Sequence, residues 1–239
     1  DRLYAQIMAG GIGKRMGNVP LPKQFLTLGT KPIIIHTIEK FMLNNQFDII
    51  LVSVPESWID YTNEIFEKYK VKDDRIRVIS GGKERNDTIQ NAISYIEKEV
   101  GLNDDDWIVS HDAVRPFITK RIIDENIKAA SDFEAVDTVI PAFDTIVRGD
   151  GTEVIEIPVR DEMYQGQTPQ SFKIQAFQDG FSSLSDEQKA ILSDTAKIIL
   201  LSGKKVGTIA GELSNIKITT PYDLRIANAI LSTSHNAGE

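Results

Sequence analysis

The chain contains no cysteine. Disulfides, thiolate-held zinc, iron–sulfur clusters and thiol nucleophiles are therefore excluded. Only three histidines occur in 239 residues, so imidazole has few places to act as ligand or base. No apolar run approaches the ~20 residues that cross a bilayer. The opening residues lack the basic-then-apolar order of a secretory signal. A soluble, cytoplasmic chain with no membrane partner is the expectation. Positive charge is also in short supply: 27 Lys and Arg against 35 Asp and Glu leave a formal net charge of −8. Broad attraction to nucleic acid is disfavoured on that ground, and no nucleic-acid partner is expected. Any anion must be held by local design.

What is present suits one α/β domain spanning residues 1–239. Hydrophobic residues make up 41% of the chain, enough for a sizeable core at this length. Runs rich in β-branched residues recur at 3–8, 49–54, 75–79, 107–111 and 135–140. Helical periodicity lies at 33–43, 57–69, 85–100, 119–130, 185–201 and 222–231. Alternation of this kind predicts a Rossmann-like, mostly parallel sheet with helices on both faces. Residues 143–170 break the rhythm. There D-T-I-V-R-G-D-G-T-E-V-I-E-I-P places apolar arms around a Gly-Asp-Gly turn, which predicts a protruding β-hairpin arm.

In doubly wound sheets, chemistry collects where strands end. The first strand is followed by A-G-G-I-G-K-R-M-G, the third by S-G-G-K-E-R-N-D-T and the fourth by H-D-A-V-R-P. Glycine lets main-chain N–H groups approach a ligand, and Lys14, Arg15 and Lys23 add cations in an otherwise acidic chain. Two common phosphate motifs fail. A P-loop needs Ser or Thr after Gly-Lys, but Arg15 follows Lys14, and Met8 stands where the first glycine belongs. A dinucleotide fingerprint puts its third glycine at Met16 and needs an acidic end to the second strand, which is absent. A glycine loop with several cations still suits a triphosphate whose charge grows during nucleotidyl transfer.

Here the sequence resembles a known family. A-G-G-x-G-x-R-M-G with P-K-Q-F is similar to the sugar-phosphate nucleotidyltransferases. G-G-x-E-R-N-D-T, H-D-A-V-R-P, Q-T-P-Q-S-F and N-I-K-I-T-T-P-Y-D-L narrow the likeness to the cytidylyltransferases that make CDP-alcohols. It extends from Tyr4 to about Leu231. The resemblance implies CTP and a polyol or sugar phosphate as substrates, Mg²⁺ as cofactor and an arm-exchanged homodimer. Within the family, A-G-G, V-D-T-V-I-P-A-F-D-T-I-V and M-Y-Q-G-Q-T-P-Q-S-F are similar to the enzymes that act on D-ribitol 5-phosphate, or D-ribulose 5-phosphate, for wall teichoic acid. The alternative acceptor is 2-C-methyl-D-erythritol 4-phosphate, whose enzymes usually show A-A-G.

The same resemblance implies roles for individual residues. The nucleotide would lie between Met8, Ala9, Gly10 and Gly11 on one side and Gly81, Gly82, Lys83, Glu84, Arg85, Asn86, Asp87 and Thr88 on the other. Arg15 and Lys23 match the transition-state cations, and Asp112 the carboxylate near the nucleotide and magnesium. Arg160 and Lys217 would position the acceptor phosphate; Arg115, Thr145, Thr168 and Ser193 would line its pocket. Lys83 departs from the usual acidic residue, Ser193 from the usual threonine, and S-D-T-A from the acidic run that often follows. His111 is expected to be packed and hydrogen-bonded instead of acting as a base. A phosphate monoester, with a second pKa of about 6, is already largely ionised at neutral pH and needs little help from one.

Overall fold

The computed structural model describes residues 2–10 and 21–237, with side chains to residue 233. Strand β1 (Leu3–Met8) buries consecutive residues, Tyr4 to Ile7, as a strand covered on both faces must. A short ribbon follows, β2 (Thr27–Leu28) against β3 (Lys31–Pro32). Then α1 (Ile33–Met42), β4 (Ile49–Val54), α2 (Ile59–Lys68), β5 (Ile76–Ser80), α3 (Arg85–Glu99), β6 (Trp107–Asp112), α4 (Lys120–Lys128) and β7 (Ala135–Pro141) alternate. Each of the predicted strands and helices up to this point is present, with ends displaced by no more than two residues.

The second half departs from expectation. After β8 (Arg148–Gly149) and β9 (Val154–Glu156) come β10 (Tyr164–Lys173), α5 (Ile174–Ser182), α6 (Asp186–Ile191), α7 (Thr195–Leu201), β11 (Val206–Ala210) and α8 (Pro221–Ala237). The single helix expected over 185–201 is two helices. Ser185 accepts the Gln188 N–H at the start of α6, and Asp194 Oδ1 accepts the Lys197 N–H at the start of α7. Two N-cap side chains within ten residues restart the helix. The last helix begins one residue earlier and runs six residues further than expected.

Seven strands form one sheet in the order β11-β7-β10-β6-β1-β4-β5. All neighbours are parallel except β10, which runs antiparallel to both β6 and β7. Helices α1, α2 and α4 pack Ile34, Ile38, Phe66 and Ile122 against Ala5, Ile7, Val52 and Val109. On the other face α3, α5 and α7 pack Ile93, Phe177 and Ile198 against Tyr4, Leu51, Ile108 and Phe172. From β1 the chain runs outward through β4 to β5 and then returns to β6 on the other side of β1. This reversal opens a crevice beyond the C-terminal ends of β1, β4 and β6.

The hairpin is where the Gly-Asp-Gly turn puts it. Gly151 has φ of 93°, and Asp150 Oδ1 accepts the N–H groups of Thr152 and Glu153. Its apolar side chains are uncovered: Val154 is 61% exposed, Ile157 59% and Val159 62%. Among the described residues no helix is long and apolar enough to cross a membrane.

Candidate active site

Three strand exits close around the crevice because main-chain bonds splice them together. Ala9 N–H donates to Ser53 O, Gly81 N–H to Val54 O and Ala113 N–H to Met8 O. A cavity of about 230 Å³ lies over them. Met8, Ala9 and Gly10 form one side, and Gly82, Lys83, Glu84, Arg85 and Thr88 the other, while Lys23, Asp112 and Lys217 supply charge. The two glycine segments expected to flank a nucleotide thus face each other. Gly11 and Arg15 lie outside the described residues.

The Gly82 segment is fastened to the start of α3. Gly82 N–H donates to Thr88 Oγ1, Thr88 Oγ1 donates to Glu84 O, and Glu84 N–H donates to Asp87 Oδ2. A Cβ on Gly82 would lie 2.2 Å from Asp87 Cβ and 2.8 Å from Thr88 N, so only glycine fits. The loop therefore hugs the helix N-terminus, whose dipole favours an anion. Asp87 and Thr88 serve this fastening. Asn86 is buried and donates to Leu192 O, tying α3 to the loop between α6 and α7.

Asp112 ends β6 with 7% of its surface exposed. Arg115 Nε donates to its Oδ2 at 3.1 Å, and Arg85 Nη1 lies 3.5 Å from its Oδ1. Burial alone would raise this carboxyl; the charges of Arg85, Lys217 and Arg115 more than offset it and hold the group at about 2. It is an anion throughout the range in which proteins work. Arg115 is itself aimed by a bond from Nη1 to Asn215 O, so its guanidinium holds Asp112.

Behind Asp112 a buried relay sets the backbone. Thr168 Oγ1 accepts the Asp112 N–H at 3.1 Å and pairs with His111 Nδ1 at 2.9 Å. His111 Nε2 faces Arg115 O, which can only accept, so Nε2 carries the proton and Thr168 donates to Nδ1. Burial drives the imidazole down to about 4, so it stays neutral. His111 is a structural group, as expected. The Thr168 hydroxyl is committed on both sides and positions Asp112.

The remaining expected residues are spread out. Thr145 and Arg160 are exposed on the arm, where Arg160 Nη1 donates to Phe143 O, and neither lines the cavity. Ser193 is exposed in the loop that starts α7. Sequence reasoning passed over Gln24 and Asn215. Gln24 is buried beside Lys23 and donates to Ala9 O, anchoring the glycine segment to P-K-Q-F. Asn215 is buried two residues before Lys217 and donates to Thr168 O and Gln167 Oε1. Both lie inside motifs whose charged members drew the attention.

Two glycine segments and several cations around one ionised carboxylate, at the reversal of a doubly wound sheet, define a nucleotidyltransferase. The model of the 2-C-methyl-D-erythritol 4-phosphate cytidylyltransferase (IspD) family matches residues 3–233, and the chain belongs to that family. It is a CTP-dependent cytidylyltransferase. Two solved structures illustrate the likeness. The 4-diphosphocytidyl-2C-methyl-D-erythritol synthase of Anaerococcus prevotii is 25% identical, with TM-score 0.79, covering 97% of this chain and 96% of that one. The 2-C-methyl-D-erythritol 4-phosphate cytidylyltransferase of Francisella tularensis is 28% identical, with TM-score 0.78, covering 96% and 99%. The enzyme of Thermus thermophilus, at 22% identity and TM-score 0.71 over 96% and 98%, shares the fold.

Proposed function

We propose that this protein transfers CMP from CTP to D-ribitol 5-phosphate, releasing pyrophosphate and forming CDP-ribitol, a precursor of wall teichoic acid. The observation that carries the transfer is the Asp112 clamp facing two glycine segments and Lys23 across one small cavity. The acceptor phosphate, already an anion, attacks the α-phosphorus of CTP in line. Alignment and relief of anion–anion repulsion then make up most of the catalysis. Lys23 and Arg15 stabilise the charge that grows on the α-phosphate and the leaving pyrophosphate. Lys217 lies close enough to Asp112 to help lower its pKa, and in this reading it receives the acceptor phosphate.

Among the described residues no group of three or more acidic, His or Cys side chains could hold a metal, but Asp112 is a permanently ionised oxygen donor at the cavity. Asp112 would hold Mg²⁺ jointly with the triphosphate, and the ion would neutralise phosphate charge when bound. The arm supports a further part of this reading. A two-stranded arm with Val147, Val154, Ile155 and Ile157 in and beside its strands exposed to solvent is poorly stable alone. Pairing with the arm of a second copy would bury them and bring Arg160 and Thr145 to that copy's acceptor site.

The second reading takes 2-C-methyl-D-erythritol 4-phosphate as acceptor, and the family model and the names of the neighbours favour it. The A-G-G, V-D-T-V and M-Y-Q-G-Q-T-P stretches favour ribitol phosphate. A pyrophosphate-release assay of CTP with D-ribitol 5-phosphate, D-ribulose 5-phosphate and 2-C-methyl-D-erythritol 4-phosphate decides. Release with ribitol 5-phosphate is expected; release confined to the methylerythritol compound would establish the second reading instead.

A further inference from the structure

We propose that Asp137 and Asp194 form the hydroxyl-recognition end of the acceptor site and select an unbranched polyol phosphate over a methyl-branched one. The proposal rests on the ribitol reading above and goes beyond it by naming what reads the polyol. Asp137 belongs to the V-D-T-V stretch, and the transfer chemistry makes no use of it.

Placement comes from strand register. Asp137 on β7 is paired with Gln170 on β10, and Gln170 with Ser110 on β6, two residues before Asp112. Directly paired residues of antiparallel strands share a face, so Asp137, Gln170 and Ser110 line one side of the sheet. That side leads to the nucleotide: Ser110 Oγ donates to the sulfur of Met8, which lines the cavity. With strands about 4.8 Å apart and about 3.3 Å per residue, Asp137 lies roughly 12 Å from Asp112. A five-carbon polyol phosphate, roughly 9 Å long at standard bond lengths, fits within that distance. Through-space attraction between Arg115 and Asp137 places both in one electrostatic neighbourhood.

Side-chain donors are scarce between the two carboxylates, which otherwise take main-chain N–H groups from Thr138 and Lys197. Gln170 Nε2 stands between Asp137 Oδ1 and Asp194 Oδ2, 3.4 Å from each, so one amide serves two carboxylates at long range. Gln170 is only 7% exposed, and its Oε1 has no hydrogen-bond partner. Thr195, next to Asp194 and 1% exposed, likewise has an unpartnered Oγ1. Asp194 spends Oδ1 on the α7 cap and keeps Oδ2 for this cluster. Burial, then the Asp194 charge, push Asp137 up to about 6, as befits a carboxylate with few donors. Adjacent hydroxyls of a polyol meet that need. Each donates to a carboxylate and can still accept from an amide or hydroxyl. The methylerythritol compound keeps hydroxyls on C1, C2 and C3, but its backbone is one carbon shorter and its C2 methyl would desolvate the carboxylates and give no bond in return.

The test compares wild type with Asp137→Asn, which keeps size and shape, and Asp194→Ser, which keeps the helix cap while removing the charge. Initial rates are measured with CTP and, separately, D-ribitol 5-phosphate and 2-C-methyl-D-erythritol 4-phosphate. Both variants are expected to raise KM for ribitol 5-phosphate by about tenfold or more and to leave KM for CTP within about twofold. The preference for ribitol over methylerythritol phosphate should fall by a similar factor, a change that a general loss of structure would not produce. If wild type uses ribitol 5-phosphate and both variants keep its KM and the acceptor preference within about twofold, the carboxylate role is refuted while the acceptor reading stands. If wild type uses only the methylerythritol compound, the acceptor reading falls and the proposal with it. Should one variant fail to fold, the other decides alone.

Discussion

Replacing Asp137 with Asn should stabilise the protein at neutral pH, and the gain should vanish in acid. Burial and the neighbouring Asp194 raise the Asp137 carboxyl from the ordinary 3.8 to about 6. Between those values the folded protein holds a proton that the unfolded chain has released. Stability therefore falls as pH rises through this window, and the loss is complete above pH 6. At about 1.36 kcal/mol per pH unit, the displacement corresponds to at most ~3 kcal/mol, and residual solvent contact reduces it. Asn resembles the protonated acid in shape and charge, so Asp137→Asn should gain about 1–3 kcal/mol at pH 7.5 and be within about 0.5 kcal/mol of wild type at pH 4.

Asp112 supplies the contrast. Burial would raise it, but Arg85, Lys217 and Arg115 bring it from 3.8 down to about 2. Its contribution, roughly 2 kcal/mol by the same arithmetic, is present above pH 4 and disappears as pH falls to 2. The two carboxylates thus shape opposite limbs of one stability profile. Urea unfolding followed by tryptophan fluorescence, for wild type and Asp137→Asn at pH 4 and 7.5, reads the difference. An Asn variant less stable than wild type at pH 7.5, or a gain of equal size at both pH values, would refute the idea that Asp137 is held ionised against its surroundings. The expected pairing of higher stability with poorer acceptor discrimination is the trade-off of a binding site kept electrostatically unsatisfied.

Two further outcomes are expected. Lys23→Ala should lower kcat by about a hundredfold or more and change KM for CTP by less than about threefold, because its partner gains charge only in the transition state; steady-state kinetics with an unchanged kcat would remove it from the chemical step. Arg160→Ala and Lys23→Ala proteins, each of low activity alone, should recover up to about half-site activity when their subunits are exchanged, since one composite site regains both residues; confirmed heterodimers without a gain in turnover, or a fully active monomer, would show that the arm does not complete a neighbour's site.

How much was legible in the sequence depended on what each strand had to bury. β1, β4, β6 and β7 carry apolar runs because helices cover them, and those runs announce themselves. The glycine segments and the Asp112 motif were legible too, since their residue types suit little else. The capping break at Asp194 was hidden inside a continuous helical periodicity. β10 went unread for a different reason. Its sequence, Y-Q-G-Q-T-P-Q-S-F-K, has no apolar alternation, yet Gln167, Thr168, Gln170 and Ser171 are all buried. All four make polar contacts there. Gln167 and Thr168 hold Asn215, Thr168 also sets Asp112, Ser171 donates to Asn126, and Gln170 faces the two carboxylates. A strand that forms the floor of a polar site cannot bury the apolar side chains by which strands are recognised. The antiparallel strand was therefore obscured by the same residues that make it part of the site.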